Sequence, residues 1–99
     1  MKNPATKEDV QQLVVDVIKH SLSVKSVPLD ATLQRDLGAT SLDLIDLLSN
    51  LEDAFRATPL TNSEEASIKC VSDLVELYWK RVGDGTATYS EHFLSRKGP

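Results

Sequence analysis

Cysteine, histidine and aromatic residues are scarce in this 99-residue chain, which contains one cysteine, two histidines, one tryptophan, two tyrosines and two phenylalanines. Because Cys70 is the single cysteine, an internal disulfide is excluded, and the histidines stand at no spacing typical of a zinc site. A glycine-rich phosphate loop, a nucleophile elbow and an HExxH motif are all missing. No apolar run approaches the roughly 18 residues that a membrane span needs. These absences argue against a disulfide scaffold, a metal site and a membrane-spanning segment.

Basic residues are also in deficit, because 11 Lys and Arg against 15 Asp and Glu give a formal net charge of −4. Nucleic acid is disfavoured as a partner, since its phosphates need a basic surface, and partners that are themselves basic are favoured. The first nine residues, MKNPATKED, lack the apolar core of a secretion or transit signal. The length suits one compact domain. We therefore expect a small, acidic, cytoplasmic monomer.

Apolar residues recur at helical spacing in three segments, and a fourth, shorter segment begins like a helix. The principal helices are predicted at about residues 7–22, 42–57 and 71–82. The short helix is predicted at 63–66, with Ser63 as its N-cap. The long first connection, residues 23–39, is expected to be anchored on the core by Leu33 and Leu37.

No segment has the alternating pattern of a strand, so the sequence predicts an all-α fold. We expect an antiparallel bundle of three principal helices plus one short helix, with a long first loop. The predicted organisation is an N-terminal lead at 1–6, the bundle at 7–82 and a C-terminal tail at 83–99. The tail is polar, and whether its apolar side chains fray or pack as a last turn stays open at this point; they are Tyr89, Phe93 and Leu94.

The second principal helix carries two apolar faces. At about 100° per residue, one stripe has the width of a normal core face and consists of Leu44, Leu47, Leu48, Leu51 and Phe55. Leu42 and Ile45 project almost opposite that stripe, among the carboxylates of Asp46, Glu52 and Asp53. An exposed apolar pair surrounded by acids is a candidate docking surface, while isolated surface aliphatic residues are the alternative interpretation.

The segment that leads into this helix contains the chain's most distinctive arrangement of small polar residues. Gly38 permits a tight turn, and Thr40 with Asp43 three residues later forms a predicted capping box. Ser41 is then the first helical residue, with its hydroxyl at the positive end of the helix dipole, where a phosphodiester would be stabilised. No base lies near Ser41 in the sequence to make it a nucleophile. An ordinary helix cap is the alternative.

Residues 36–55, DLGATSLDLIDLLSNLEDAF, resemble the phosphopantetheine attachment region of acyl carrier proteins. That family typically has D-x-L-G-x-D-S-L here, followed by a leucine-rich acidic helix. The similarity extends over residues 6–82, because 63–66 resembles the family's short third helix and 71–74 the start of its fourth. The sequence departs from the pattern at Thr40, where the family has Asp, and at Arg35, in a lead-in that is often acidic. These departures favour a specialised carrier.

The resemblance implies a carrier without catalytic or metal-binding residues of its own. A holo-synthase would transfer 4′-phosphopantetheine from coenzyme A to Ser41, and acyl groups held on the arm as thioesters would be presented to fatty-acid, lipid or polyketide enzymes with basic docking patches. The implied partner-recognition residues are Leu42, Asp43, Ile45, Asp46, Glu52 and Asp53. The implied acyl cavity consists of Leu47, Leu51, Phe55, Ile68 and Leu74. An aminoacyl or peptidyl carrier loaded by an adenylating ligase, and a helical interaction module, remain as alternatives.

Overall fold

The computed structural model describes residues 6–88, and this part of the chain folds into four α-helices. They are α1 (Lys7–Leu22), α2 (Ser41–Phe55), α3 (Asn62–Ser67) and α4 (Val71–Asp84). Within residues 6–88 no strand is present, and one isolated antiparallel bridge joins Thr32 to Cys70. None of these helices has the length and hydrophobicity needed to cross a membrane. The predicted all-α fold with three principal helices and one short helix is confirmed.

Capping boxes, in which two residues exchange hydrogen bonds, stand at the N-termini of α1, α2 and α3. At α1, the Asp9 backbone N–H donates to the Thr6 hydroxyl at 3.1 Å, and the Thr6 N–H donates to the Asp9 carboxylate at 3.0 Å. The prediction that Ser63 caps α3 is wrong, because Thr61 occupies the cap and bonds reciprocally with Glu64 at 2.9 and 3.1 Å. A threonine with glutamate three residues later forms a complete capping box, whereas Ser63 would have only Ala66 at that spacing.

One continuous hydrophobic core joins α1, α2 and α4. The buried face of α1 has the predicted helical spacing and consists of Val10, Leu13, Val14, Val17 and Ile18. Leu47 and Leu51 of α2 are fully buried against this core, as is Leu74 of α4. The rings of Phe55 and Tyr78 stack with their centroids 4.7 Å apart, so aromatic packing ties the C-terminal half of α2 to α4.

The connection between α1 and α2 is fixed to the bundle through backbone hydrogen bonds. The Leu33 N–H donates to the Lys69 carbonyl at 3.1 Å, and the Val71 N–H donates to the Ala31 carbonyl at 3.0 Å. Leu33 is buried at 3% exposure, and Leu37 is half-buried against the core. A long loop without helices is thereby held to one conformation, because its backbone groups find partners on the α3–α4 junction.

The C-terminal part of the bundle extends beyond its predicted end at residue 82. Gly83 lies inside α4, and Gly85, with φ at 83°, is the left-handed residue that ends the helix. Ala87 is buried, and the Thr88 N–H donates to the Phe55 carbonyl at 2.6 Å. Residues 83–88 thus belong to the packed structure, while the predicted positions of Tyr89, Phe93 and Leu94 lie outside the described residues.

A buried arginine links α4 to α3, and nothing in the helical periodicity predicts it. Arg81 is 8% exposed; its guanidinium donates to the Thr58 carbonyl at 2.8 Å and to the Glu64 carboxylate at 2.9 Å. The backbone N–H of Thr61 holds the pKa of the Glu64 carboxyl below its usual value, and the Arg81 guanidinium adds to this effect. The charge of Arg81 is therefore compensated in its buried position.

Two leucines of α2 provide a matched test of this core. We expect Leu51→Ala to lower the free energy of unfolding by about 2–5 kcal/mol, because it leaves a cavity where a fully buried side chain stood. Leu42→Ala removes the same atoms from a side chain that is 77% exposed, and its effect should stay within about 0.5 kcal/mol. Urea denaturation of both variants measures the difference, and equal losses would contradict the assignment of the core face.

Tyr78 gives a second test, because its buried hydroxyl has no hydrogen-bond partner in the described part of the chain. Desolvation raises the pKa of this phenol to about 12 from an ordinary value of 10.0. The folded state thus keeps its proton while the unfolded state ionises, so this group destabilises the fold increasingly as the pH rises from 10 towards 12.

We expect Tyr78→Phe to raise the free energy of unfolding by about 1 kcal/mol at pH 7, because an unsatisfied polar group is removed from the core. The advantage of the variant over the parent protein should widen above pH 10. Chemical denaturation at pH 7 and at alkaline pH measures both effects. A variant less stable than the parent at both pH values would show that the hydroxyl is satisfied.

Candidate functional site

Ser41 is the first residue of α2, and the residues before it fix its position. The Asp43 backbone N–H donates to the Thr40 hydroxyl at 3.1 Å, and the Thr40 N–H donates to the Asp43 carboxylate at 3.0 Å. Gly38 adopts a φ of 74°, which favours glycine, and the turn closes as the Ala39 N–H donates to a carbonyl 2.9 Å away. The predicted capping box at Thr40 is present, so Ser41 starts α2 as expected.

The environment of Ser41 suits an acceptor of a modifying group better than a nucleophile with its own base. The side chain is exposed, and within residues 6–88 its hydroxyl makes no hydrogen bond to a side chain that could act as a base. His20 lies in the last turn of α1, a different helix. Free backbone N–H groups and the positive end of the dipole of α2 stabilise an anion attached here. The site can therefore hold a phosphate ester, whereas activation of the hydroxyl has to come from outside the described residues.

A groove of about 960 Å³ extends from Ser41 along α2. Its α2 wall follows one stripe of the helix, at positions 41, 44, 45, 48, 49 and 52, so it spans about 16 Å at the helical rise of 1.5 Å per residue. Its apolar side chains come from three parts of the chain and are Leu33, Leu44, Ile45, Leu48 and Ile68. A flexible chain attached at Ser41 could lie over apolar surface for three helical turns.

Charged side chains also line this groove. Arg35, from the loop before α2, and Lys69, from the α3–α4 junction, contribute positive charges. Glu52 near the end of α2 and Glu65 of α3 contribute negative charges. The groove thus combines an apolar surface with ionic groups at its edges, which is a usual composition for a ligand-binding cleft.

The residues predicted for partner recognition occupy three different environments. Leu42 and Ile45 are 77% and 65% exposed, so the predicted apolar pair does face solvent. Asp46 and Asp53 are exposed beside that pair along α2. Of the other predicted members, Asp43 is held in the capping box and Glu52 lies in the groove, which Ile45 also lines while facing solvent.

The residues predicted for the acyl cavity are divided between the core and the groove. Four of them are fully buried in the core, namely Leu47, Leu51, Phe55 and Leu74. Ile68 alone among the five lines the groove, together with Leu33 and the α2 residues Leu44 and Leu48. The helical wheel placed Leu48 at one edge of the core stripe, which is a signal for a groove residue, but it placed Leu44 in the middle of the stripe, so the wheel gives no signal for Leu44.

Comparison with known proteins identifies the class to which this arrangement belongs. Residues 8–77 match the family described as a phosphopantetheine attachment site. An acyl carrier protein of Azobacteroides pseudotrichonymphae is 37% identical over 68 residues, which cover 67% of this chain and 80% of that protein. Acyl carrier proteins of Amoebophilus asiaticus and Thermotoga maritima are 36% and 33% identical, over 77% and 80% of this chain and 96% and 99% of their own.

The helical fold and the family match together define a phosphopantetheine-attachment domain, whose covalent group is 4′-phosphopantetheine. The chain belongs to the acyl carrier protein family, as the resemblance of residues 36–55 predicts. The group fits what the structure offers, since an exposed hydroxyl at a helix N-terminus opens onto a groove. The chain thus has an acyl carrier function, which involves a synthase that attaches the group and enzymes that handle acyl groups.

Proposed function

We propose that Ser41 carries the 4′-phosphopantetheine arm and that the chain acts as a carrier with no catalysis of its own. The observation that carries this proposal is the exposed Ser41 hydroxyl at the start of α2, beside the groove. The bound arm supplies a terminal thiol that holds acyl groups as thioesters. The protein's own contribution is to fix the attachment point and to stabilise the phosphodiester through the N-terminus of α2.

The absence of a hydrogen bond from the Ser41 hydroxyl to a base in the described part of the chain supports modification by a separate enzyme. A holo-synthase would accept the serine proton while the Ser41 oxygen bonds to the pantetheine-side phosphorus of coenzyme A, and the pyrophosphate P–O bond would break with release of adenosine 3′,5′-bisphosphate. Thr40 contributes the cap but no carboxylate, so the synthase meets a less acidic surface beside Ser41 than the family pattern D-S-L provides. This difference favours a partner synthase adapted to the chain, and with it a dedicated pathway.

The outer face of α2, defined by Leu42, Ile45, Asp46 and Asp53, is the proposed docking surface. Two exposed aliphatic side chains provide apolar area at its centre, and the carboxylates around them attract a basic patch on the partner. The net charge of −4 acts in the same direction over longer distances. This face begins one residue after Ser41, so an enzyme docked on it would lie next to the attachment point of the arm.

The groove is the proposed resting place for the arm and for short acyl groups. Its apolar side chains are accessible without rearrangement, and each methylene buried there contributes about 0.8 kcal/mol. Longer chains would need the predicted cavity among Leu47, Leu51, Phe55 and Leu74, and these side chains are packed together with 0% exposure. Entry of a long chain would therefore require α2 and its neighbours to separate, at a cost in core contacts.

Mass spectrometry of the protein after incubation with coenzyme A and a holo-synthase tests the attachment site. We expect the parent protein to gain one phosphopantetheine mass and Ser41→Ala to gain none, because the acceptor hydroxyl is lost. Ser49→Ala is the matched control, since Ser49 is also exposed and lines the same groove two turns along α2. Modification of Ser41→Ala, or its absence in Ser49→Ala alone, would place the acceptor elsewhere.

Steady-state kinetics of the same modification tests the docking surface. We expect Ile45→Ala to raise the KM for the carrier roughly fivefold, equivalent to about 1 kcal/mol of lost binding, with little change in kcat. Its thermal stability should match the parent because Ile45 is 65% exposed. Leu29→Ala, which shortens a 39% exposed leucine in the first loop, is the control and should leave KM unchanged. An unaltered KM in Ile45→Ala would exclude this face as the contact for the synthase.

A further inference from the structure

Two positively charged residues of the groove are connected to Ser41 by a short series of backbone contacts. The Lys69 carbonyl accepts from the Leu33 N–H at 3.1 Å, and the Leu33 carbonyl accepts from the Ala39 N–H at 2.9 Å. Ala39 precedes Ser41 by two residues, and Arg35 follows Leu33 by two. Both basic side chains also line the groove that Ser41 lines. Arg35 and Lys69 are therefore held near the end of the groove at which α2 begins.

Neither basic side chain forms an ion pair with a carboxylate of the described residues, although the Lys69 backbone N–H and, to a smaller degree, the Lys69 ammonium charge lower the pKa of the Asp73 carboxyl. Lys7 forms an ion pair with Glu76, and Arg81 forms one with Glu64. Arg35 and Lys69, by contrast, make no side-chain hydrogen bond or ion pair within residues 6–88. In a protein with more acids than bases, two such cations beside one cleft are available to an anionic ligand.

Two carboxylates near Ser41 in sequence are already occupied by backbone donors, while Asp46, five residues after Ser41, is exposed on α2. Asp36 accepts from the Thr32 N–H at 2.8 Å, and Asp43 accepts from the Thr40 N–H at 3.0 Å. Glu52, the acid that α2 contributes to the groove, lies 11 residues beyond Ser41, about 16 Å along the helix. An anion at the start of α2 thus meets the helix dipole and the two cations of the groove, whose lining also includes the carboxylates of Glu65 and of Glu52, the latter about 16 Å along α2.

We propose that Arg35 and Lys69 form an anion site for the phosphodiester of the arm on Ser41, and that this ion pairing holds the arm in the groove. The inference rests on the proposed attachment at Ser41 and adds two positioning residues to it. A phosphodiester at Ser41 carries a fixed negative charge whatever the cargo, so the pairing operates in the holo form with a free thiol. Arg35 offers a planar set of donors to the phosphate oxygens, and Lys69 adds a mobile point charge.

Amide chemical-shift mapping of the apo and holo forms tests this site without any cargo. In the parent protein, attachment should shift the amide resonances of Leu48 and Ile68, which line the groove. In Arg35→Gln/Lys69→Gln, attachment should still occur by mass, but the shifts at these two residues should fall by at least half. In the parent, 1 M NaCl should reduce them similarly, because the screening length falls to about 3 Å.

Lys25→Gln/Lys80→Gln is the matched control, because both lysines are exposed, neither lines the groove and the loss of charge is the same. This variant should retain the parent's shifts at Leu48 and Ile68. Equal shifts in the Arg35/Lys69 variant and the parent would overturn the anion site while leaving Ser41 as the attachment residue. An equal loss in the control would also overturn it, in favour of a general charge effect. Failure of the parent to gain the phosphopantetheine mass would overturn the attachment proposal itself.

Discussion

The candidate site depends on two hydrogen bonds that the backbone of Leu33 makes. Its N–H bonds to the α3–α4 junction at Lys69, and its carbonyl bonds to Ala39 at the start of α2. One buried residue thereby brings together a long loop, the N-terminus of α2 and the segment before α4, which are distant in sequence. Together with the bond from the Val71 N–H to the Ala31 carbonyl, these two hydrogen bonds hold the loop beside Ser41 as one wall of the groove.

The side chains of α2 lie on three faces of the helix, which are directed to the core, to the groove and to solvent. Leu47, Leu51 and Phe55 face the core and are fully buried. Leu44 and Leu48 border the groove, Leu42 is exposed on the outer face, and Ile45 is exposed between the two because it also lines the groove. The energetic requirements of these faces differ, since the core face stabilises the fold while the other two remain available for binding. Stability and recognition can therefore change separately through substitutions on one helix.

The parts of the fold that depend on interactions between residues close in sequence could be predicted. The spacing of Val10, Val14 and Ile18 defines the buried face of α1, and the pair Thr40 and Asp43 defines the start of α2, because caps and periodicity act within one or two turns. Residues whose role depends on distant partners escaped prediction. Arg81 is buried only because Thr58 and Glu64 accept its hydrogen bonds from across the bundle.

The site follows the same division between local and distant contacts. The position of Ser41 is encoded by its neighbours, and the exposure of Ile45 follows from the helical wheel. The groove was not predicted, because it forms only when the first loop, α2 and the α3–α4 junction come together. Leu44 and Leu48 were accordingly assigned to the core, since periodicity distinguishes opposite faces of a helix better than it distinguishes a core from the adjoining cleft.

The hydrogen bond from the Thr88 N–H to the Phe55 carbonyl holds residue 88 beside the C-terminal end of α2. Phe55 is the last residue of α2, and Ser41 is the first, so the two ends of the helix lie about 21 Å apart. A fluorophore, purification handle or surface linker attached at residue 88 would therefore start beside the end of α2 opposite Ser41. Immobilisation through that end would leave the serine and the adjoining exposed leucine accessible to enzymes in solution.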